Sequence, residues 1–450
     1  MASGVTDQNS FDASPVIFNT NSLNYNGVTT DITVFFGDQF NNYNGDGVEA
    51  TILAEAGVIG SSSNEVTCKT NDATCVVTWR SQGDRPFYEK KWGNRIGEID
   101  NDPSTTEGIN PKTGLINCDP YFGSAAPCIN GIKRAKNSPD GVVMGGRVSI
   151  LAVTKGQENF VDEESTATVQ RRNGLFDIGE YYASYDLPEA FIDHNENASF
   201  DKVNCGDAND PASDACSELN SRGGHNETWR DLNNDGIYNL ADGKYNGLLC
   251  SEAASTAGEC SRELIEVRKQ FELVMSGDDP YLRFSVLKTN NILPAPYQVY
   301  VPADCSASIA GNFETSDTIE RCDVDAIDLS TVSVDNPAYD GTDPSVPEKV
   351  DIGLGGITVR IHYTDEFGNP LPAGTTISLS TTNGDLSIIE SSDVVPNTNR
   401  DTPMYSDVRI SREADGNDKF DGILSIAFEF KTQSGSTKTV KKGIAIFDSK

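Results

Sequence analysis

Asp365-Glu366-Phe367-Gly368-Asn369-Pro370-Leu371-Pro372-Ala373-Gly374 decides how this chain is read. It follows the strand-like run Ile357-Thr358-Val359 and precedes Thr381-Thr382-Asn383-Gly384. The same series stands near the amino terminus as Ile32-Thr33-Val34, then Asp38-Gln39-Phe40-Asn41-Asn42, then Gly47 and Gly57. The offset is 325 residues at the first match and 327 at the later ones, so a strand, an Asp-x-Phe-x-Asn turn, a glycine and a second strand occur twice in one order. Around both copies the apolar residues alternate with period two, the signature of half-buried strands, and helical periodicity is scarce. Strands are expected at 32–36, 51–54, 66–79, 147–153, 264–274, 357–363, 376–380, 423–430 and 440–447. Short strands bounded by Gly, Asn and Asp favour an all-β chain built of sandwiches.

The repeated series resembles the bacterial immunoglobulin-like domains of intimin- and invasin-type surface proteins. The match is clearest over Gly356–Ser387; the first copy departs from it, with Asn44-Gly45-Asp46 in place of the proline-containing turn. The resemblance implies tandem immunoglobulin-like β-sandwiches on a bacterial cell surface. The expected organisation is a first domain over 1–277, a connecting β segment or linker over 278–349 and a second domain over 350–450. The first domain is interrupted at 87–142 by a disulfide loop and at 158–260 by a loop-rich acidic segment. If 147–153 and 264–274 are its last two strands, far more than a hairpin's two to five residues lies between them, which marks an insertion with a task of its own.

Composition narrows the task. The chain has 450 residues, 35 Lys and Arg against 68 Asp and Glu, and a formal net charge of −33. Nucleic acid and anionic membrane surfaces are recognised by clustered bases, and this chain is repelled by both. No apolar run is long enough to span a bilayer as a helix. Met1-Ala2-Ser3-Gly4 opens no signal-peptide core, so the chain reads as a mature or excised piece of an exported protein. Its ten cysteines fall into neighbour pairs: Cys68 and Cys75, Cys118 and Cys128, Cys205 and Cys216, Cys250 and Cys260, Cys305 and Cys322. An even number in local pairs favours disulfides of an oxidising compartment, with neighbour pairing expected. Zinc competes as a reading, but no C-x2-C occurs and His194, His225 and His362 are scattered.

Between Glu158 and Asp214 fourteen acids face three bases. Like charges at this density repel unless solvated or neutralised by a cation. Asp231-Leu232-Asn233-Asn234-Asp235-Gly236-Ile237-Tyr238-Asn239-Leu240-Ala241-Asp242 fits a twelve-residue EF-hand-type loop. Oxygen side chains fall at positions 1, 3, 5, 9 and 12, Gly236 sits at the sharp turn of position 6, and Ile237 at position 7 offers its carbonyl. Asp242 stands where an EF-hand has a bidentate Glu, so the loop resembles a dockerin-type site. The competing reading is a plain Asx-rich turn. A second loop takes Asp193, Asn195, Asn197, Ser199 and Asp201, with Ala198 in the glycine's place. A first, interrupted loop takes Asp162 and Glu164, then Asn173, Leu175, Asp177 and Glu180 after an inserted stretch. Each loop begins two residues after an aromatic (Phe160, Phe191 or Trp229), which suggests a threefold mini-repeat holding about two to three Ca2+ ions. Glu189 is a candidate bridging ligand.

No G-x-S-x-G, H-E-x-x-H, P-loop or G-x-G-x-x-G frame is present. Carboxylates spaced as calcium ligands are ionised and unsuited to work as a general acid, so an enzyme is not expected. Two functions fit. One is a non-enzymatic, calcium-stabilised extracellular structural protein of a bacterial surface, a stalk segment or fibre subunit whose partner is another copy of itself. The other is an adhesin module whose insertions bind a glycan or protein ligand.

Overall fold

The computed structural model describes residues 3–61, 63–83, 85, 146–162, 172–193, 198, 200, 227–287, 321–324, 326–329, 331–353, 356–365, 368–400, 403–412, 421–432 and 435–447, with the backbone of short strands at 116–117, 127–128, 291–292, 300–301 and 308–309. The chain divides into two compact units, Met1–Ile96 with Arg134–Met275, and Gly97–Lys133 with Ser276–Lys450. Both are β-structured, and each contains mixed sheets.

From the amino terminus to Met275 the elements are β1 (Thr6–Asp7), β2 (Phe11–Pro15), β3 (Asn19–Thr20), β4 (Thr29–Phe36), β5 (Glu49–Ala54), β6 (Val58–Ile59), β7 (Glu65–Lys69), β8 (Thr74–Arg80), the small pair β9 (Ile116–Asn117) and β10 (Pro127–Cys128), β11 (Arg147–Gln157), β12 (Tyr245–Asn246), the helix α1 (Glu252–Ala257), β13 (Cys260–Ser261) and β14 (Ile265–Met275). One sheet of the first unit runs β3-β14-β11-β5-β7, with β1 added parallel to β11, and the other runs β2-β4-β8-β6. Alternation decides which side chains go inward. On β4 Ile32, Val34 and Phe36 are buried while Phe35 is exposed, and on β8 Cys75, Val77 and Trp79 are buried while Val76 is exposed. The Trp79 indole donates to the Ala56 carbonyl at 2.9 Å, which satisfies its one polar atom. The Cys68–Cys75 disulfide staples β7 to β8 across their turn.

The second unit adds β15 (Tyr281–Leu287), β16 (Asn291–Ile292), β17 (Tyr300–Val301), β18 (Ser308–Ile309), β19 (Arg321–Asp323), β20 (Ala326–Asp328), β21 (Thr331–Asp335), β22 (Lys349–Gly353), β23 (Ile357–Thr364), β24 (Thr376–Thr381), β25 (Asp385–Glu390), β26 (Met404–Ser411), β27 (Gly422–Lys431) and β28 (Thr437–Phe447). Its sheets run β18-β19-β15-β23-β26-β25 and β20-β28-β27-β24. The stretch 278–349, expected to connect two domains, thus carries β15 and β20 of the main sheets, and β21 with β22 forms a hairpin. One apolar cluster draws on both sheets, with Val359, Ile361 and Tyr363 from one and Leu424, Ile426 and Phe428 from the other. Each such side chain stabilises by roughly 1.5–3 kcal/mol when fully buried.

The two units repeat one wiring. The order β3-β14-β11-β5 matches β20-β28-β27-β24, and β2-β4-β8-β6 matches β15-β23-β26-β25, with each strand at the same place in the chain order of its unit. Even the parallel partner recurs, β3 on β14 and β20 on β28. The Asp and Asn at the two ends of the Asp-x-Phe-x-Asn turn are joined alike in both. Asp38 Oδ1 accepts the Asn42 amide at 2.9 Å, and Asp365 Oδ1 accepts the Asn369 amide at 2.8 Å. The second oxygen of each takes an amide from the start of its own unit, Ser3 at 2.8 Å and Gly277 at 3.0 Å. Among the described residues no helix is long and apolar enough to cross a membrane.

Candidate metal centre

β11 and β14 are antiparallel neighbours from Arg147↔Val274 to Gly156↔Ile265, yet the chain between them runs through the acidic insertion. In the second unit the matching strands β27 and β28 are joined by a tight turn, in which the Thr432 amide donates to the Ser436 carbonyl at 2.9 Å. The insertion therefore replaces a short hairpin turn. Its attachment explains why β11 is buried on both faces rather than alternately. Leu151 and Val153, on the face away from the inter-sheet core, pack against Ala190 and Ile192 of the insertion, with Leu53 beside them. Ser149 Oγ donates to the Asp193 carbonyl at 2.6 Å, and the Arg268 guanidinium donates to the Pro188 carbonyl at 2.5 Å. A second small core holds Phe160, Phe176, Tyr245 and Ala254, closed by the Cys250–Cys260 disulfide around α1. Ser251 caps that helix and Gly258 ends it.

The loop 231–242 curls around its own oxygens. Asp231 Oδ1 accepts the Asp235 amide at 3.0 Å, Asn233 Oδ1 accepts the same amide at 3.0 Å, and Asp235 Oδ1 accepts the Ile237 amide at 2.7 Å. The amide group of Asn233 donates to Asp235 Oδ2 at 2.9 Å and to Asn239 Oδ1 at 2.8 Å, so positions 1, 3, 5 and 9 face one another. The Ile237 side chain is exposed, as a position that gives only its backbone allows. The Ile237 amide, with help from Asn233 and Asn239, holds the Asp235 carboxyl below its ordinary range and keeps it ionised.

One hydrogen bond recurs in all three loops. Asp231 Oδ2 accepts the Gly236 amide, Asp162 Oδ2 accepts the Gly174 amide and Asp193 Oδ2 accepts the Ala198 amide, each at 2.7 Å. In each case the first residue of the loop binds the sixth, and that sixth residue is left-handed: Gly236 at φ 75°, Gly174 at φ 80° and Ala198 at φ 62°. The fifth-to-seventh contact also repeats, since Asn173 Oδ1 accepts the Leu175 amide at 2.7 Å as Asp235 accepts that of Ile237. Of the aromatics that open the loops, Phe160 packs on Phe176 and Tyr245, while Phe191 and Trp229 each pack on Phe200. Phe191 bridges to Trp229, and Phe200 stacks on Tyr238 at 3.9 Å.

The closing carboxylates differ between loops. Glu180, buried at the twelfth position of the first loop, accepts the Asp177 amide at 2.8 Å. In the third loop the equivalent ninth-position amide, that of Asn239, is taken at 2.9 Å by Glu189, which also takes the Leu232 amide at 2.9 Å. Asp242 is turned elsewhere, its Oδ1 accepting from Lys244 N at 3.0 Å and from the Asn246 side chain at 3.2 Å. Asp186 and Glu158, which no spacing rule singles out, complete the scaffold. Asp186 accepts the Asp242 and Gly243 amides and the Tyr181 hydroxyl, and Glu158 accepts the Leu187 and Asn246 amides. Burial pushes Glu158 up to about 8 against those two amides, and the nearby charges of Asp186 and Asp242 add to the push.

Two observations bear on whether these residues suit a hard cation. Asp162 Oδ1 is buried with no hydrogen-bond partner, while Oδ2 is engaged by Gly174, as a first-position aspartate with one oxygen reserved for a cation would be. The donors are all oxygen, the set Ca2+ prefers. Among the described residues no three His, Cys, Asp or Glu converge as a metal cluster, and the third loop brings two aspartates together with two asparagines. Glu164, Asn195, Asn197, Ser199 and Asp201 lie outside the described residues, as do Cys118, Cys205, Cys216 and Cys305, and only the backbone is described at Cys128 and Cys322. A cleft of about 480 Å³ borders the third loop, lined by Leu187, Glu189, Arg230, Leu240 and Glu266 among others.

No family model matches the chain, and no curated protein matches it. Among solved structures, the native conformation of E. coli alpha-2-macroglobulin is similar at 9 % identity, over 97 % of this chain and 32 % of that one, with a TM-score of 0.13. The chain spans about a third of that protein's length, and a score at this level carries no argument about fold or function.

Proposed function

We propose that this chain is a non-enzymatic structural protein of a bacterial cell surface, made of two immunoglobulin-like sandwiches and stiffened by Ca2+ in the insertion of the first. The observation that carries the reading is the bond from first to sixth residue, made at one length in three loops, with an aspartate oxygen of the first loop left buried and unpaired. A stalk segment or fibre subunit needs rigidity, and an acidic loop gains it when a cation compensates its charge. Asp231, Asn233, Asp235 and Asn239, closed by Glu189, would hold one ion; Asp162 and Glu180 with Asn173 and Asp177 a second; Asp193 begins a third. The disulfides suit an oxidising, extracellular setting. The expected outcome is that a calcium chelator lowers the melting temperature and exposes the 158–260 insertion to protease, and that returning Ca2+ restores both. Unchanged melting and cleavage in chelator would refute the calcium reading. A second reading, an adhesin module, rests on the cleft beside the third loop. Glycan-array or protein-array binding that disappears with chelator supports it over the structural role, and calcium-dependent filaments seen by electron microscopy support the fibre.

A further inference from the structure

A second group of buried polar residues lies away from the loops, where the amino-terminal strand meets the root of the insertion. β1 pairs parallel to the end of β11, with Asp7 opposite Gln157, so their side chains project from one face. Asp7 is 1 % exposed and Gln157 is fully buried. Asp7 Oδ1 accepts the Asn9 amide at 2.9 Å, but Oδ2 has no partner, and neither does either polar atom of the Gln157 amide. Tyr245 closes the group. A Cβ placed on Gly247 would lie 2.3 Å from the Tyr245 hydroxyl and 2.7 Å from Gln157 Cβ, so both approach one point. That hydroxyl has the Leu249 amide beside it and no acceptor for its proton. Buried polar atoms without partners are costly, so a cluster of them in one place needs a physical explanation.

The charge that acts on Asp7 is negative. Asp38, in the turn after β4, is raised by burial, but amides of Asn42, Ser3 and Phe40 and the Asn42 side chain outweigh this and hold it below the usual range, so it stays ionised. Glu158, at the exit of β11, and Asp7 both act on Tyr245 from β12. An ionised Asp7 would stand in the interior beside a like charge. A protonated Asp7 carries no charge and has an O–H to give on the face it shares with the unpartnered Gln157 amide. We propose that Asp7 is held as the neutral acid and acts as a proton-operated clamp, tying β1 to the end of β11 where the insertion begins. Burial pushes its carboxyl up to about 7 against the Asn9 and Ser10 amides, with the Asp38 charge adding to the push.

The sign follows from linkage. Closing the clamp takes up a proton, so its stability is greatest at low pH, falls as pH rises from about 4 and stops falling above about 7. Hydrogen exchange of the calcium-saturated full chain reads this directly. The Asp7 amide donates to the Gly37 carbonyl and the Gln8 amide to the Gln157 carbonyl, each at 3.0 Å, and both are lost when β1 detaches. After correction for intrinsic exchange, the opening constant of both amides should rise about tenfold per pH unit in that window, and Asp7→Asn should abolish the slope. A flat wild-type profile, or an unchanged slope in Asp7→Asn, overturns the proposal. If Asp7→Asn does not fold, the 13C titration of the wild-type Asp7 carboxyl decides: a midpoint near 7 supports the clamp and one near 4 overturns it.

Discussion

Gly57 and Ala198 are both left-handed, and they stand in opposite relation to their surroundings. Gly57, at φ 81°, faces the Trp79 indole. A Cβ there would sit 2.7 Å from its Nε1 and 2.8 Å from the Arg80 carbonyl, both of them fixed by the core. Gly57→Ala combines left-handed strain with a clash and should cost about 2–4 kcal/mol, read as a lower denaturant midpoint with an unchanged slope. Gly384 occupies the same place in the second copy at φ 85°, with the Ser411 carbonyl 2.7 Å from an added Cβ, so Gly384→Ala should behave alike. Ala198 holds φ 62° with a Cβ, at a position its two sister loops give to glycine, and it is exposed. Ala198→Gly should therefore stabilise the loop by about 1 kcal/mol when calcium is bound and tighten its affinity. Equal or weaker calcium binding by that variant would detach the second loop from the other two. The glycines of the repeat were legible in the sequence because only a backbone demand preserves a lone Gly at matched spacing. The demand at Ala198 was legible too, as a departure from the pattern.

At the scale of elements, legibility follows the number of residues that carry a signal. β4, β23, β27 and β28 each span eight or more residues, enough to display a period of two. β3, β6 and β20 have two or three residues and show no periodicity, although each takes its place in a sheet. β15 escaped for a different reason. Its partner in the sheet, β23, lies about seventy residues further on, across a segment rich in turn residues, so nothing local announces the pairing. In the loops, the twelve-residue spacing predicts Asp231, Asn233, Asp235, Asn239 and Asp242 as donors; the first four hydrogen-bond among themselves, and Asp242 turns to Lys244 and Asn246. Glu189 instead accepts the Asn239 amide, as Glu180 accepts that of Asp177, because Ala190 and Ile192 dock on β11 and carry it beside the loop. Glu189→Gln should accordingly weaken calcium binding at the third loop by tenfold or more, and Asp242→Asn should weaken it much less; isothermal titration distinguishes them. The Cys250–Cys260 bridge fastens the small core that supports the first loop, and its replacement by two serines should cost roughly 2–3 kcal/mol, seen as earlier melting of the insertion.

For the whole molecule the governing number is the net charge of −33. Self-repulsion of this size disfavours a compact state, and two remedies are physically distinct. Dissolved salt screens charges that are exposed and separated by more than a Debye length, about 8 Å at physiological ionic strength, and does little for carboxylates already held in contact. A coordinated cation acts only on the latter. Asp231, Asp235 and Asn239 are joined through shared hydrogen bonds, well inside that length, and Asp162 keeps one oxygen buried. Sodium chloride added to the calcium-free chain should therefore raise its melting temperature gradually and in proportion to ionic strength. Calcium at concentrations too low to alter ionic strength should produce a saturable step, greater than the salt effect and centred on the protection of the 158–260 insertion. The two effects should be nearly additive, because they relieve different repulsions. If sodium chloride alone reproduces the calcium step, the acidic segment is a solvated surface whose charges need only screening, and the loops hold no ion.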